Sequence, residues 1–588
     1  MNLIKKTKVK VIKYVFCGFC VLAILFLSLE LSKVNLSVPL QYSGDEVFNQ
    51  SAIKGIMDNG WYLENKYLGA PSSGDLYKFP MADNLHFFIM KLMTIFTKNS
   101  AVVINLFFIL GFFLTAFTSL YVFERFKFSY FLSLTGALLY TFMPYHMIRN
   151  VGHLFLASYY IVPLSILLIL WIGKEEISFL KRDEKSKKIK LSINAKGWMS
   201  IAICVLTAMA NIYYAFFACF LIVVSTIFET LNSKENTKKK LAIFGTGIFL
   251  VTLVILVMAI NLIPNFVNEK SYKLNLENVH RDPFEAEYYG MKISQLILPT
   301  NNNKIDFLRS IKESVDQYPL TNENSRASIG MMATIGFFFL LLVLFLKNNV
   351  LKERSDILYK LSALNLSCIL LATIGGFGSL LALFFAYIRC YNRISIFIAF
   401  LSIFALLCIL EYIFSKKIFK KNYLLPYFLL ITIVAFGMFD QATVTFDNRQ
   451  LVEWYVQDSE FIKKVEASLP NNSMVFELPY ICFPECRPMV RIDSYDQFKP
   501  YLHSKNIRWS AGTFKNTKED LVRKEISSKS PVEVLKSLSD LGFSGLLIDT
   551  FGYEDKGEKI TSDFENVLKK KPLVSDDDRY YFFKLSSN

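Results

Sequence analysis

What constrains this chain first is a succession of apolar runs, most of them about 18 residues or longer, separated by short loops rich in lysine. A run of that length crosses a hydrocarbon core of about 30 Å as a helix. Backbone amides in lipid are satisfied only inside a helix or a closed barrel, so the chain reads as an α-helical polytopic membrane protein. Its 588 residues are 53% hydrophobic and its mean hydropathy is positive, which agrees. A net charge of +15 invites a nucleic-acid reading. The lysines, however, sit between apolar runs, where the positive-inside rule already accounts for them, so no nucleic-acid partner is expected.

Lys5, Lys6, Lys8, Lys10 and Lys13 precede the first run, 14–31, which puts the N-terminus in the cytoplasm. That run is long and lacks a small-x-small cleavage site, so it reads as an uncleaved anchor. Residues 174–196 hold eight basic side chains against four acidic ones, Glu175, Glu176, Asp183 and Glu184. Further basic clusters are Lys234 with Lys238–Lys240, Lys347 with Lys352 and Arg354, and Lys416–Lys417 with Lys420–Lys421. Placing all of them inside requires about eleven spans, with the overlong run 198–228 divided at Asn211. Residues 1–440 then form the membrane domain with outside loops 35–99 and 264–328. The stretch 380–388 is too short to cross and reads as re-entrant or interfacial.

Residues 441–588 contain no further span. Strand-like segments at 474–478, 545–549 and 580–583 alternate with helical patterns such as 531–541, which predicts a small extracytoplasmic α/β domain. Cys482 and Cys486 are the cysteines in a polar setting. Their C-x3-C spacing has no second ligand pair for zinc, and an extracytoplasmic location leaves a local disulfide open.

The candidate polar clusters all fall on the outside. Asp45 and Glu46 follow the anchor, and they read either as solvated loop acids or as a general base raised toward working pH by partial burial. Asp83 is placed like a helix cap before an amphipathic stretch, 86–96; with His86 at i,i+3 it could also share a face toward a metal. No cofactor is required by the sequence, and a divalent metal stays open. Arg389 and Arg393, four apart, read as phosphate-binding guanidiniums or as side chains snorkelling at a helix end. Arg149 and His153 have the same spacing. Asn211, Tyr213 and Tyr214 are expected near the outer face, and Glu285 and Tyr288 lie in the second outside loop. His153, Tyr214 and Tyr288 are candidate substrate contacts.

An anchor, an acidic pair in the first long outside loop, an interfacial helix, many further spans and an outside C-terminal domain together resemble the GT-C superfamily of polytopic glycosyltransferases. The segment from Trp61 through Leu68-Gly69-Ala70-Pro71 to His86 and the step 389–393 are similar to poorly characterised bacterial members. The resemblance implies transfer of a sugar from a polyprenyl-phosphate donor to an extracytoplasmic glycan or lipid acceptor in a bacterial cell membrane. It implies Asp45 as catalytic base, with Glu46 as the alternate, and Arg389, Arg393 and Arg149 on the donor phosphate. The first loop lacks the Asp-x-Asp that would tie it to a metal, and the chain lacks a nucleotide-binding glycine fingerprint. Two other readings are a flippase of lipid-linked glycans, which calls for related halves and a polar central cavity, and a non-catalytic cell-envelope scaffold.

Overall fold

The computed structural model describes residues 2–174, 177–182, 189–234, 236–268, 281–346, 351–442, 444–486 and 488–585. Glu175, Glu176, Asp183, Glu184, Lys185, Lys187, Lys188 and Lys347 lie outside the described residues, as does 269–280 of the second outside loop.

Each apolar run carries helix. Seven stretches among the described residues are long and apolar enough to cross a membrane: Thr7–Ser28, Ser100–Arg125, Val151–Trp171, Ile212–Asn232, Thr237–Asn261, Ser355–Ala372 and Tyr391–Phe414. Ala195–Ala210, Met331–Val343 and Leu425–Gln441 are shorter apolar helices, and the run 128–145 supplies the 12-residue helix Tyr130–Thr141. That helix stops early because Pro144 disfavours helical backbone in the residue before it and opens the next helix, Pro144–Arg149. The overlong run does break at Asn211, which is extended and accepts a hydrogen bond from the Tyr213 amide to start the helix Ile212–Asn232.

The helix Ser395–Phe414 is buried along nearly its whole length, and the other helices pack around it. At Gly336 a Cβ would stand 1.8 Å from the Ser402 carbonyl oxygen, so only glycine lets the helix Met331–Val343 approach this closely. The helix Thr237–Asn261 is mostly exposed and apolar, as a lipid-facing helix must be.

Charged contacts sort onto two ends. At one end lie the ion pairs Lys13–Glu124 (2.6 Å), Arg354–Glu411 (2.8 Å) and Lys360–Glu229 (2.8 Å). At the other, Asn211 and Asn261 reach the first loop at Asp83 and the Ala82 carbonyl, and Asn303 bonds Asp440. All the candidate residues sit at this second end.

The C-terminal segment forms a five-stranded sheet in the order Arg508–Trp509, Met474–Leu478, Gly545–Asp549, Tyr580–Lys584, Leu573–Val574. The first three strands are parallel, and the last two pair antiparallel. Period-two alternation splits the sheet's faces. Phe476, Leu546, Ile548 and Phe583 pack with Ile526, Val534, Leu538 and Phe564 of the covering helices. Val475, Leu547, Phe582 and Trp509 instead join the core of the membrane part. The first loop covers the sheet edge: the Trp509 amide donates to the Tyr67 carbonyl (2.9 Å), and the Gly69 and Ala70 amides donate to Ala511 (2.7 Å) and Trp509 (2.9 Å). The Leu68-Gly69-Ala70 segment therefore serves edge pairing.

Candidate functional site

The first outside loop is not loop throughout. Asp45–Asn59 is a helix of 15 residues, starting at Gly44 and closing at Gly60. Its signals were present in the sequence: acids in the first turn, where the helix dipole favours negative charge, and Val47, Phe48, Ser51, Ala52, Ile53 and Ile56 at helical spacing on a buried face. Gly44 holds φ +62°, a conformation that disfavours side chains, and its Cα faces Asp493.

This helix start separates the two acids. Asp45 opens onto solvent. The surrounding protein pushes its carboxyl up to about 6, chiefly by desolvation and then through Glu485, with Asp493 and Glu323 adding to the rise and Arg393 opposing it. Glu485, Asp493, Glu323 and Arg393 are thus charged groups whose fields act on Asp45. Glu46 points the other way, is fully buried, and neither of its carboxylate oxygens has a hydrogen-bond partner. At a helix start adjacent side chains point about 100° apart, so Glu46 is turned into the protein while Asp45 is exposed.

Two guanidiniums converge on Glu323, one of the groups whose field acts on Asp45. Arg393 donates to both its oxygens (3.1 and 3.2 Å), and Arg149 forms an ion pair with one of them. Burial would push Glu323 up, but Arg149 and Arg393 hold it well below the usual carboxylate range. Arg149 is itself buried, and its Nε and Nη2 have no partner among the described residues. A buried guanidinium with free N–H groups is costly unless an acceptor arrives. Aromatic faces fix both cations: Arg149 lies 5.0 Å from the Tyr145 ring and Arg393 4.3 Å from the Tyr213 ring. Arg326, exposed, stands in the field of Arg149 and Glu323.

The turn Val151–His153 packs against the segment that leads into Asp45. Gly152 packs so tightly on Gln41 that a Cβ would meet its Oε1 at 2.6 Å, and Gln41 Nε2 donates to the Ser43 carbonyl (3.2 Å), two residues before Asp45. His153 is half-buried and sits in the field of Arg149, Glu323, Arg393 and Arg326. Tyr42 is held by the C-terminal segment, donating to Asp458 (2.8 Å).

Arg389 does not share an anion with Arg393. It pairs with Glu285 (2.5 Å) and lies over the Tyr289 ring at 5.1 Å, while Asn392 Nδ2 ties the step to the Tyr289 carbonyl (3.0 Å). Arg389 lies outside any helix and the 3-10 turn covers only Tyr391–Ile394, so an i,i+4 face is not formed. Tyr214 is buried with its hydroxyl donating to the Leu156 carbonyl, and Tyr288 is exposed, edge-on to Tyr289.

Asp83 occupies the N-cap position of the helix Asn84–Met93, but its side chain makes no cap bond. It accepts instead from Asn211 Nδ2 (3.1 Å), and burial pushes it up to about 7. The His86 ring is fully buried, stacked on Phe155 and edge-on to Phe107 and Tyr160, with both nitrogens unpartnered; burial lowers it to about 3. A pair committed to an amide on one side and set among aromatic rings on the other does not fit a metal. No group of three or more His, Cys, Asp or Glu side chains suited to a metal occurs among the described residues.

Glu323, Arg326, Arg281 and Glu485 were not singled out from sequence. Glu323 and Arg326 lie in a turn whose sequence signal is the pair Asn322 and Asn324, and Asn324 Nδ2 closes it by donating to the Gly290 (3.1 Å) and Leu320 (2.9 Å) carbonyls.

Residues 85–375 match a family model described as a domain of unknown function, DUF6311. No curated protein matches the sequence. Among solved structures, ArnT from Cupriavidus metallidurans bound to undecaprenyl phosphate is 11% identical and covers 97% of each chain, with a TM-score of 0.51. The Archaeoglobus fulgidus oligosaccharyltransferase is 10% identical over 97% of this chain and 72% of its own, with a TM-score of 0.46. The mycobacterial arabinofuranosyltransferase AftD is 11% identical over 91% and 36%, also at 0.46. Only the first carries an argument, and it supports the fold alone: this chain shares the fold of that structure, with seven helices among the described residues long and apolar enough to cross a membrane and a small C-terminal sheet region.

Proposed function

We propose that this protein is an integral-membrane glycosyltransferase that moves a sugar from a polyprenyl-phosphate donor to a glycan or lipid acceptor on the extracytoplasmic side of a bacterial cell membrane. The observation that carries the reading is the exposed Asp45 in the field of Arg393 and Glu323, with Arg393 and the buried, incompletely satisfied Arg149 both converging on Glu323. The ArnT-like fold supports it, since that structure holds undecaprenyl phosphate.

In this reading the acceptor hydroxyl hands its proton to the Asp45 carboxylate as its oxygen bonds to the anomeric carbon. The bond from that carbon to the phosphate oxygen breaks, and polyprenyl phosphate leaves with the electron pair. Asp45 ends neutral and returns its proton to solvent. Negative charge grows on the leaving phosphate, where guanidinium donors stabilise it more than they do the ground state. Arg149 offers its free Nε and Nη2, and Arg393 is pre-oriented by Glu323 and Tyr213. Arg389, committed to Glu285, frames the rim. Residues 1–440 form the catalytic membrane domain, and 441–588 form an extracytoplasmic domain that closes over the site and docks the acceptor.

Purified protein with Asp45→Asn, assayed with a panel of polyprenyl-phosphate sugars, tests the base. Loss of transfer with donor binding retained is expected, and undiminished transfer excludes the assignment. Reporter fusions after Asn211 and after Asp440 test orientation. A cytoplasmic signal at either position overturns it.

A further inference from the structure

The proposed chemistry makes no use of the Cys482–Cys486 segment, yet the structure packs it against the first turn of the Asp45–Asn59 helix. The two cysteines are joined, with Cα atoms 5.8 Å apart, and Glu485 between them takes φ +55°. Three contacts pin the loop. The Phe483 ring lies 5.9 Å from Phe48, one turn along the Asp45 helix. Ser494 Oγ donates to the Cys486 carbonyl (2.8 Å). The Glu485 amide donates to the Tyr495 hydroxyl (3.3 Å), whose ring is 5.2 Å from Phe48. Arg281 then bridges from the second outside loop, its Nη2 donating to both Glu485 oxygens at 2.7 Å.

The charged and titratable groups facing Asp45 are Glu485, Asp493, Glu323 and Arg393, with Tyr495 beside them. Those facing Glu485 are Arg281, Arg389 and Lys515. Burial opposes ionisation of Glu485, but the Arg281 hydrogen bonds hold it below the usual range. Of two neighbouring carboxyls, the one with the stronger cationic partner stays ionised and the other gains proton affinity.

We propose that Glu485 is a positioning residue for Asp45, an inference that rests on Asp45 being the base. The disulfide-braced loop and Arg281 hold the Glu485 carboxylate where its field reaches Asp45, and it sets the charge environment in which Asp45 takes the acceptor's proton. The thiols thus serve to place one carboxylate.

The test reads Asp45 protonation without turnover. Full-length protein in detergent micelles is modified by a water-soluble carbodiimide across pH, and labelling of Asp45 is followed by mass spectrometry in the parent, Glu485→Gln and Arg281→Gln proteins. Glu485→Gln is expected to move the labelling midpoint to lower pH by roughly half a unit or more. Arg281→Gln, which leaves the Glu485 charge uncompensated, moves it to higher pH. Opposite shifts are a signature that general loosening of the loop does not produce. Midpoints that stay put, or that move in the same direction in both variants, overturn the inference. Transfer that survives Asp45→Asn defeats the base reading instead and leaves the midpoints to decide the role of Glu485.

Discussion

Glu46 offers a direct check on how the two adjacent acids were separated. Its side chain is fully buried, neither oxygen finds a donor, and the one charge acting on it from a distance is Lys499. Burial therefore raises its carboxyl well above the ordinary 4.5, with Lys499 pulling weakly the other way. The helix dipole at the first turn favours the charged form by only about 0.3–1 kcal/mol, which desolvation exceeds. In the unfolded chain the group ionises near 4.5, so the folded state is penalised increasingly as pH rises above that value until the folded group also ionises. Each pH unit costs about 1.4 kcal/mol. The penalty therefore grows from pH 4.5 toward neutrality for as long as the folded group stays protonated. Glu46→Gln keeps the shape and removes the proton linkage. Thermal unfolding in detergent micelles, followed by intrinsic fluorescence from pH 4.5 to 8, is expected to show parent and variant melting alike at the acid end. The variant should be progressively more stable toward neutrality. A difference that is constant with pH, or a variant less stable at pH 7, refutes the reasoning. Transfer should persist in this variant, since Glu46 is turned into the protein.

Because Asp45 is held at about 6, transfer by the parent should rise with pH through that value as the carboxyl sheds its proton, and kcat/KM profiles show whether the acid limb falls there. Arg393→Lys keeps the charge but loses the two-pronged bond to Glu323 and the flat stacking on Tyr213; KM for the donor is expected to rise about tenfold or more, consistent with about 1.5–3 kcal/mol for a charged hydrogen bond. Gly44→Ala forces a side chain to φ +62°, costing about 1–2 kcal/mol. Unfolding midpoints should drop, and kcat should fall as the start of the Asp45 helix shifts.

Local patterns in the chain carried most of the architecture. Apolar length fixed the helices, since lipid leaves the backbone no other partner, and lysine clusters ordered the loops. Asn211 was legible as a break because a span ending on the wrong side would bury Lys238–Lys240 in the wrong compartment. The strands at 474–478 and 545–549 were legible as short apolar runs between helical patterns, and the structure pairs them in parallel. Asp45 could be picked out by its place after the anchor, though not distinguished from Glu46.

What tertiary structure decided was which way side chains point and which distant groups meet. Glu46 turned inward and Asp45 outward only because the helix start at Gly44 packs one face on the protein. Arg393 found Arg149 across 244 positions through Glu323, which lies on a turn with no motif of its own, and Arg389, its near neighbour in sequence, went to Glu285 instead. Asp83 and His86 looked like a pair by spacing, yet one was taken by an amide and the other by aromatic rings. Helical runs are set by contacts a few residues apart, which a sequence displays. A charge cluster is set by long-range packing and by the competition among carboxylates for a few cations, and that competition is settled only in three dimensions.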